Sequence, residues 1–328
     1  MQVDSLKIKH ILEERELKLL WSEVRGEIIS RSYLAGVECK SGEKLLLKVL
    51  LQAAEVDKKD FLKEITFLRR VTINNQSGIG RFVPKLVDSQ TEQFPFWSLR
   101  EFVSGSSAGS VVSDFGWNEI FLESGFHTEL LTFLQELQSL RVEKFFPELG
   151  WLKTGDVGEY FINRLRFVHG DVIGFIGDDR FRKIISEFNR LKSCLGGPKL
   201  VLCHSDLYPD NVLLTDDSKV KIIDWDHLGV NNPALDLAFF WAMAWKKPSW
   251  QSTLLEGALE MLPYHKGDFL CVFWLMQVHF SINLVAHGLR MLNAHKREKR
   301  TDAVRTAQLF LDTQLRGIEK ALQELGAY

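Results

Sequence analysis

Between Leu200 and Ala238 the chain alternates apolar runs too short for helices with dense polar clusters, a combination that few folds accommodate. The stretch reads LVLCHSDLYPDNVLL and then TDDSKVKIIDWDHLGVNNPALDLA. Its apolar flanks predict short buried strands, and Asp216-Asp217-Ser218-Lys219 supplies turn chemistry between two of them. The pattern is a hairpin with polar groups at its ends: His204, Asp206 and Asn211 in one loop, Asp224-Trp225-Asp226 closing the run Val220 to Ile223. On this reading Asp206, Asn211 and Asp224 converge from two loops as oxygen ligands suited to a hard cation. Metal-assisted phosphoryl transfer needs such an arrangement.

A length of 328 residues predicts about two domains, at roughly 150 residues each. With 45% hydrophobic and 26% charged residues the composition is that of a soluble globular protein with ample core material. A formal charge of −2 speaks against a generally basic nucleic-acid binder, a local basic patch being the alternative, and no nucleic-acid partner is expected. The charged N-terminus lacks the apolar centre of a signal peptide, and the most apolar segment, Leu235 to Trp245, is too short for a span of about 18 residues. No membrane partner is therefore expected. Cys39, Cys194, Cys203 and Cys271 are scattered, without zinc-like spacing, and read as reduced thiols of a cytoplasmic protein. Cys203 and His204 are strand neighbours on opposite faces, which argues for a core cysteine over a thiol nucleophile.

From the N-terminus, Ile8 to Trp21 carries helical spacing, and Glu23 to Leu50 changes to strand character with Lys40-Ser41-Gly42-Glu43 as a hairpin turn. The turn Gly26 to Tyr33 contains Ser30 and Ser32, whose hydroxyls and neighbouring N–H groups suit a nucleotide's phosphates; the alternative is an ordinary β-turn. Lys48 lies inside Leu45-Leu46-Leu47-Lys48-Val49-Leu50, where a buried ammonium demands an anionic partner. Either it bridges ATP phosphates and a helix carboxylate, or it is an edge-strand lysine pointing outward. The helix predicted over Asp57 to Val71 offers Glu64 as that carboxylate, with Glu55 as a less central choice. Phe82 to Val87 and Phe96 to Val103 read as two further strands. The small residues Ser104 to Ser110 suit a flexible connection, so an N-terminal nucleotide-binding lobe is expected over residues 1–103 and a C-terminal lobe over 104–328. Backbone groups of Glu101, Phe102 and Val103 are placed to meet an adenine edge, a plain surface linker being the bland alternative.

The remainder is helical by pattern: Glu129 to Leu140, Phe161 to Val168, Asp179 to Leu195, Leu237 to Trp245, Gln251 to Leu262, Asp268 to Asn293 and Thr301 to Leu325. Gly196-Gly197-Pro198 stops one helix before the strand leading into His204. The basic run His295 to Arg300 reads as a solvated inter-helix segment. The tryptophans near 241 to 250 read as core or as a pocket wall.

Together these residues spell a known pattern. H-x-D-x-x-x-x-N, followed thirteen positions later by Asp and preceded by a strand lysine, resembles the eukaryotic-type kinase superfamily. Within it, CHSDLYPDNVLL, KIIDWD and NPALDLA are similar to the aminoglycoside phosphotransferase and choline kinase branch, over residues 22 to about 240. The resemblance implies an α+β, bilobal protein-kinase-like fold, with an antiparallel β-sheet and helix in the N-terminal lobe and a larger, mainly helical C-terminal lobe. It implies ATP and Mg²⁺ as cofactors and a hydroxylated small molecule as acceptor. Asp206 then resembles the catalytic base, Asn211 and Asp224 the Mg²⁺ ligands, and Lys48 with Glu64 the phosphate-contacting pair. His204 and Asp236 resemble supports of the catalytic loop, and Asp226 lies near the metal. Ser205 departs from the branch, which has Gly there. Asp224 is followed by Trp-Asp, not Phe-Gly, and no Ala-Pro-Glu segment follows, which counts against a protein kinase.

Two other readings compete: a kinase acting on a protein, and a pseudokinase that binds nucleotide without transfer. The acceptor pocket is expected from the helices after Asp236 and the loop near Asp206, with Asp206, Asp226 and Glu256 as acidic candidates. Aminoglycosides, amino alcohols and sugars all fit this description.

Overall fold

The computed structural model describes residues 5–25, 32–52, 54–74, 78–123, 125–145, 157–196 and 199–328. The chain divides into two compact units, Met1–Ser106 with Leu213–Leu228, and Ser107–Val212 with Gly229–Tyr328.

In the first unit, β1 (Lys18–Arg25), β2 (Ser32–Glu38), β3 (Lys44–Leu50), β4 (Leu86–Gln90) and β5 (Trp97–Glu101) form one antiparallel sheet in the order β1-β2-β3-β5-β4. The pleat sorts its side chains with period two. Leu45, Leu47 and Val49 face one way and pack with Ala35, Val37, Trp97 and Leu99 around Ile11 of helix α1 (Ser5–Glu14). Leu50 belongs to the other face, where Phe61 and Ile65 of helix α2 (Glu55–Ile73) meet Phe96. Burying each of these aliphatic side chains contributes about 1.5–3 kcal/mol. Lys48 shares the α2 face, in the middle strand of the sheet and paired on both sides, opposite Leu34 and Ser98. The outward-pointing edge lysine is therefore not what the fold contains.

The hairpin strands Val212–Thr215 and Val220–Ile222 extend this unit, the Ile222 N–H donating to the Phe82 carbonyl at 2.7 Å. Three expectations need correction here. The first helix stops at Glu14; Glu16 turns the chain at φ 53°, and Lys18 to Trp21 begin a strand. The run Phe82 to Val87 enters the sheet only at Leu86; Phe82 and Val83 are buried, and their carbonyls accept from Ile222 and Lys221 of the hairpin. In the stretch Ser104 to Ser110 the first three residues are exposed, but Ala108 and Gly109 are buried and two of its glycines lie against other backbone. A Cβ on Gly105 would stand 2.1 Å from the Leu214 oxygen, and one on Gly109 would stand 2.2 Å from the Gly116 oxygen. Its small residues serve close backbone approach, which explains a composition that otherwise reads as a linker.

The second unit holds α3 (Glu119–Glu123), α4 (His127–Ser139), α5 (Val142–Phe145), α6 (Val157–Ile176), α7 (Asp178–Arg190), α8 (Lys192–Leu195), α9 (Leu235–Met243), α10 (Pro248–Met261), α11 (Lys266–Arg297) and α12 (Thr301–Leu325). Short strands Val201–Cys203 and Gly229–Asn231 pair antiparallel and carry the loop after Cys203. All four cysteines are free, and Cys203 is fully buried. Helix α11 runs through Asn293 to Arg297, so His295 is buried, edge-on to Phe115, and does not belong to a solvated segment. By length and composition alone α11 could cross a membrane, contrary to the sequence reading; 89% of its apolar stretch is buried inside the protein.

Trp117 ties several of these helices together. Its ring stacks on Phe121 at 4.7 Å, and its indole N–H donates to the Phe240 carbonyl at 2.9 Å. We expect Trp117→Ala to lower stability by about 3–5 kcal/mol, measured by urea denaturation, through the cavity and the orphaned carbonyl together.

Candidate functional site

The α2 face of the sheet concentrates charge where only apolar contacts are expected. Glu64, between Phe61 and Ile65, is completely buried, which a carboxylate tolerates only when several donors reach it. Lys48 Nζ donates to Glu64 Oε2 at 2.8 Å, and Arg100 donates to Oε1. The backbone N–H of Trp225 approaches the same Oε1 at 3.4 Å. Trp225 is fully buried, its ring 4.3 Å from Phe67 and its indole N–H donating to the Ile222 carbonyl. That anchor fixes its neighbours: Asp224 Oδ1 lies 3.1 Å and Asp226 Oδ2 lies 3.8 Å from Lys48 Nζ. Asp224 sits in the left-handed region at φ 64°, a conformation that costs a non-glycine residue about 1–2 kcal/mol.

The electrostatics follow from burial and proximity. Burial favours a neutral Lys48, but Asp224, Glu64 and Asp226 outweigh it and hold the ammonium above its ordinary range. Burial likewise pushes Glu64 up, and Arg100 with Lys48 overcomes this to hold it below the ordinary carboxylate range. Asp226 ends above that range, because burial and the charges of Asp224 and Glu64 exceed the pull of Lys48. Three carboxylates face two cations in this group, and the excess negative charge falls on Asp224 and Asp226. Asp226 Oδ1 is buried without a hydrogen-bond partner. An orphaned oxygen beside a partly exposed carboxylate fits a hard divalent cation. Among the described residues no group of three or more His, Cys, Asp or Glu side chains is arranged to hold a metal ion.

The second unit builds the loop after Cys203. Asp236, at the start of α9, is buried and accepts the N–H groups of His204 at 2.8 Å and Ser205 at 3.0 Å. His204 is fully buried, and its Nδ1 accepts the Asp206 N–H at 3.3 Å. Asn211 Nδ2 donates to the Asp206 carbonyl at 2.8 Å and to its Oδ2 at 3.0 Å, so Asp206 is held by both backbone and carboxylate. Asp210 Oδ2 accepts the Val111 N–H. Ser205 adopts φ 69°, which explains why a glycine is at home there. The Tyr208 ring meets Phe239 edge-on at 4.6 Å, and Phe239 meets Phe280 at 4.4 Å. Burial and the nearby Asp206 charge push the Tyr208 phenol up to about 12.

The residues singled out from the sequence fall into two local groups: Lys48, Glu64, Asp224 and Asp226 in the first unit, and His204, Asp206, Asn211 and Asp236 in the second. Arg100 was missed, although a charge inside the predicted strand Phe96 to Val103 carries the same signal as Lys48. Ser30 lies outside the described residues; Ser32 opens β2, paired with Leu50 and Arg25. The Glu101 N–H is already given to the Lys85 carbonyl and its carboxylate accepts Lys221, while Phe102 lies edge-on to Trp21 at 6.4 Å. Glu55 and Glu256 are exposed and take no part in either group.

The chain matches the model of the phosphotransferase enzyme family over residues 21–269. It is 31% identical to protein LicA of Haemophilus influenzae over 103 residues, which are 31% of this chain and 38% of that relative, so the match spans well under half of the curated protein. Its fold is similar to macrolide 2'-phosphotransferase MphH of Brachybacterium faecium, at TM-score 0.62 and 16% identity over 92% of this chain and 97% of that one. It is also similar to choline kinase LicA of Streptococcus pneumoniae, at TM-score 0.54 and 15% identity over 98% and 99% of the two chains. The α+β, kinase-like fold is common to all three.

Two outcomes follow from this geometry. Ser205→Gly relieves the left-handed serine and should raise stability by up to about 1 kcal/mol in thermal denaturation, with the Asp236 contacts intact. Burial pushes the Asp236 carboxyl up to about 7 against the two N–H groups that favour its charge. Its folded value lies above the ordinary 3.8, so its contribution to stability is fully present below about pH 3.8 and is lost as pH rises through about 7. The stability advantage of wild type over Asp236→Asn, followed by urea denaturation across that window, should therefore shrink with rising pH.

Proposed function

Because the chain belongs to the phosphotransferase enzyme family, we propose that it transfers the γ-phosphate of ATP to a hydroxyl of a small molecule. The observation that carries this reading is the buried Lys48 ammonium, kept charged by Glu64 while Asp224 and Asp226 leave an unbalanced negative charge beside it. A fixed ammonium next to under-neutralised carboxylates suits a phosphate chain together with its Mg²⁺. We assign residues 1–103 to nucleotide binding and 104–328 to catalysis and acceptor binding, in a cytoplasmic enzyme. Lys48 contacts phosphate with Glu64 as its anchor, Ser30 and Ser32 lie in the phosphate-covering turn, and Glu101 to Val103 meet the adenine. Asn211 and Asp224 are assigned as Mg²⁺ ligands, with Asp226 adjacent. Asp206 orients the acceptor hydroxyl and takes its proton; its hydrogen bonds from Asn211 hold the carboxylate in place for that role. His204 and Asp236 position the loop.

On the acceptor, the aromatic contacts Tyr208–Phe239–Phe280 beside the Asp206 loop favour a molecule with an apolar face over a polycationic sugar. Charges of Arg164 and Arg290 reach Tyr208 and argue the same way. We expect Asp206→Asn to retain ATP affinity within about twofold while turnover falls by a factor on the order of 10²–10⁴, measured by Mg²⁺-dependent ADP release with a panel of hydroxylated amines, macrolides and sugars. Undiminished turnover in this variant removes Asp206 from the mechanism.

A further inference from the structure

The second unit contains a cavity of about 300 Å³ among α9, α10, α11 and α12 that the proposed phosphoryl transfer does not use. Its wall is on the far side of α9 from the Asp206 loop. Phe239 meets Tyr208, while Trp241, two residues on and roughly 200° around the helix, faces the cavity.

Trp241 and Trp274 stand 5.9 Å apart at 84°, forming a corner of two indole faces. The Lys320 ammonium lies over both rings, 5.9 Å from Trp241 and 5.5 Å from Trp274. Deeper in, Gln277 is only 1% exposed; its Nε2 donates to Ser281 Oγ at 3.1 Å, and Ser281 Oγ donates to Gln314 Oε1 at 3.0 Å. That chain uses the amide nitrogen and leaves Gln277 Oε1 buried with no hydrogen-bond partner. A buried carbonyl oxygen without a donor is destabilising, and a ligand that supplies one recovers that loss.

We propose that this cavity is a binding site for a small aromatic acid: a flat ring carrying an N–H or O–H donor at its inner edge and an anionic group at the mouth. The indole corner accepts the ring by stacked and edge-on contacts. Gln277 Oε1 takes the donor. Lys320 and Arg316 line the cavity and, among the described residues, no carboxylate does, so its charge selects an anion. A free cation would have to displace the Lys320 ammonium from the position it already fills over the two rings. The volume lies at the lower end of the range for ligand pockets, about 300–1,000 Å³, which limits the occupant to one small ring system. Gly317 lines the wall; a Cβ there meets Ser281 Oγ and Gln277 Nε2 at ordinary contact distances of 3.6 and 3.8 Å, so a larger side chain would fill the space from an exposed helix without backbone strain.

The test uses the full chain and three probes that share one ring: indole-3-acetate, indole-3-acetamide and tryptamine, titrated calorimetrically. Saturable binding of indole-3-acetate is expected, with the amide about tenfold weaker and tryptamine weaker still. Lys320→Met, a change on an exposed helix face, should reduce indole-3-acetate to the affinity of the amide. Gln277→Leu should weaken all three, and Gly317→Leu should abolish binding. Asp206→Asn should bind indole-3-acetate as wild type does. Absence of saturable heat with wild type overturns the proposal. So do equal affinities across the charge series, undiminished binding by Gly317→Leu, and loss of binding in Asp206→Asn, which would place the probe in the acceptor site.

Discussion

Glu64 is the group on which the first unit depends. A carboxylate with no solvent contact survives only when donors arrive from several directions. Here they come from the middle strand through Lys48, from its neighbour through Arg100, and from the hairpin through the Trp225 N–H. One buried oxygen pair thereby sets the register of sheet, helix and hairpin together. Replacing it with an apolar residue would leave two cations facing a hydrophobic helix. The local cost of burying charge thus fixes where Lys48, Asp224 and Asp226 stand.

The loop of the second unit is organised on the same logic with backbone donors. Asp236 receives two consecutive N–H groups, which is possible only because Ser205 turns through the left-handed region. Asp224 adopts the same strained conformation in the first unit. Both residues hold conformations that the surrounding hydrogen bonds over-determine, the usual signature of backbone shaped for a site.

What the sequence disclosed and what it concealed divide along physical lines. A charge inside an apolar run is costly wherever it lies, so Lys48 could be singled out without a structure, and helix periodicity then offered Glu64. Arg100 obeyed the same rule and was passed over because Ser98 and Glu101 blur its run. The apolar run Leu19-Leu20-Trp21 is compatible with helical and extended structure alike, and only pairing with β2 decides between them. Ser104 to Ser110 misled because small residues serve both loose chains and tight backbone approach. Helix α11 hid its apolar character behind Gln277, His279, Ser281 and Asn283, polar residues that interrupt its apolar pattern. The tryptophans of α9 and α11 are buried as a core would have them, yet they enclose space.

The hairpin has a consequence for how the protein is made. Leu213–Leu228 belongs to the first unit although the chain on both sides of it belongs to the second. A nascent chain that has emerged only as far as Ser106 carries the whole five-stranded sheet but lacks the Trp225 ring that covers Phe67 and the N–H that reaches Glu64. The sheet must wait, incompletely covered, while more than a hundred further residues are synthesised. Folding of the N-terminal half is therefore finished from within the C-terminal half, and the two cannot mature in simple succession along the chain.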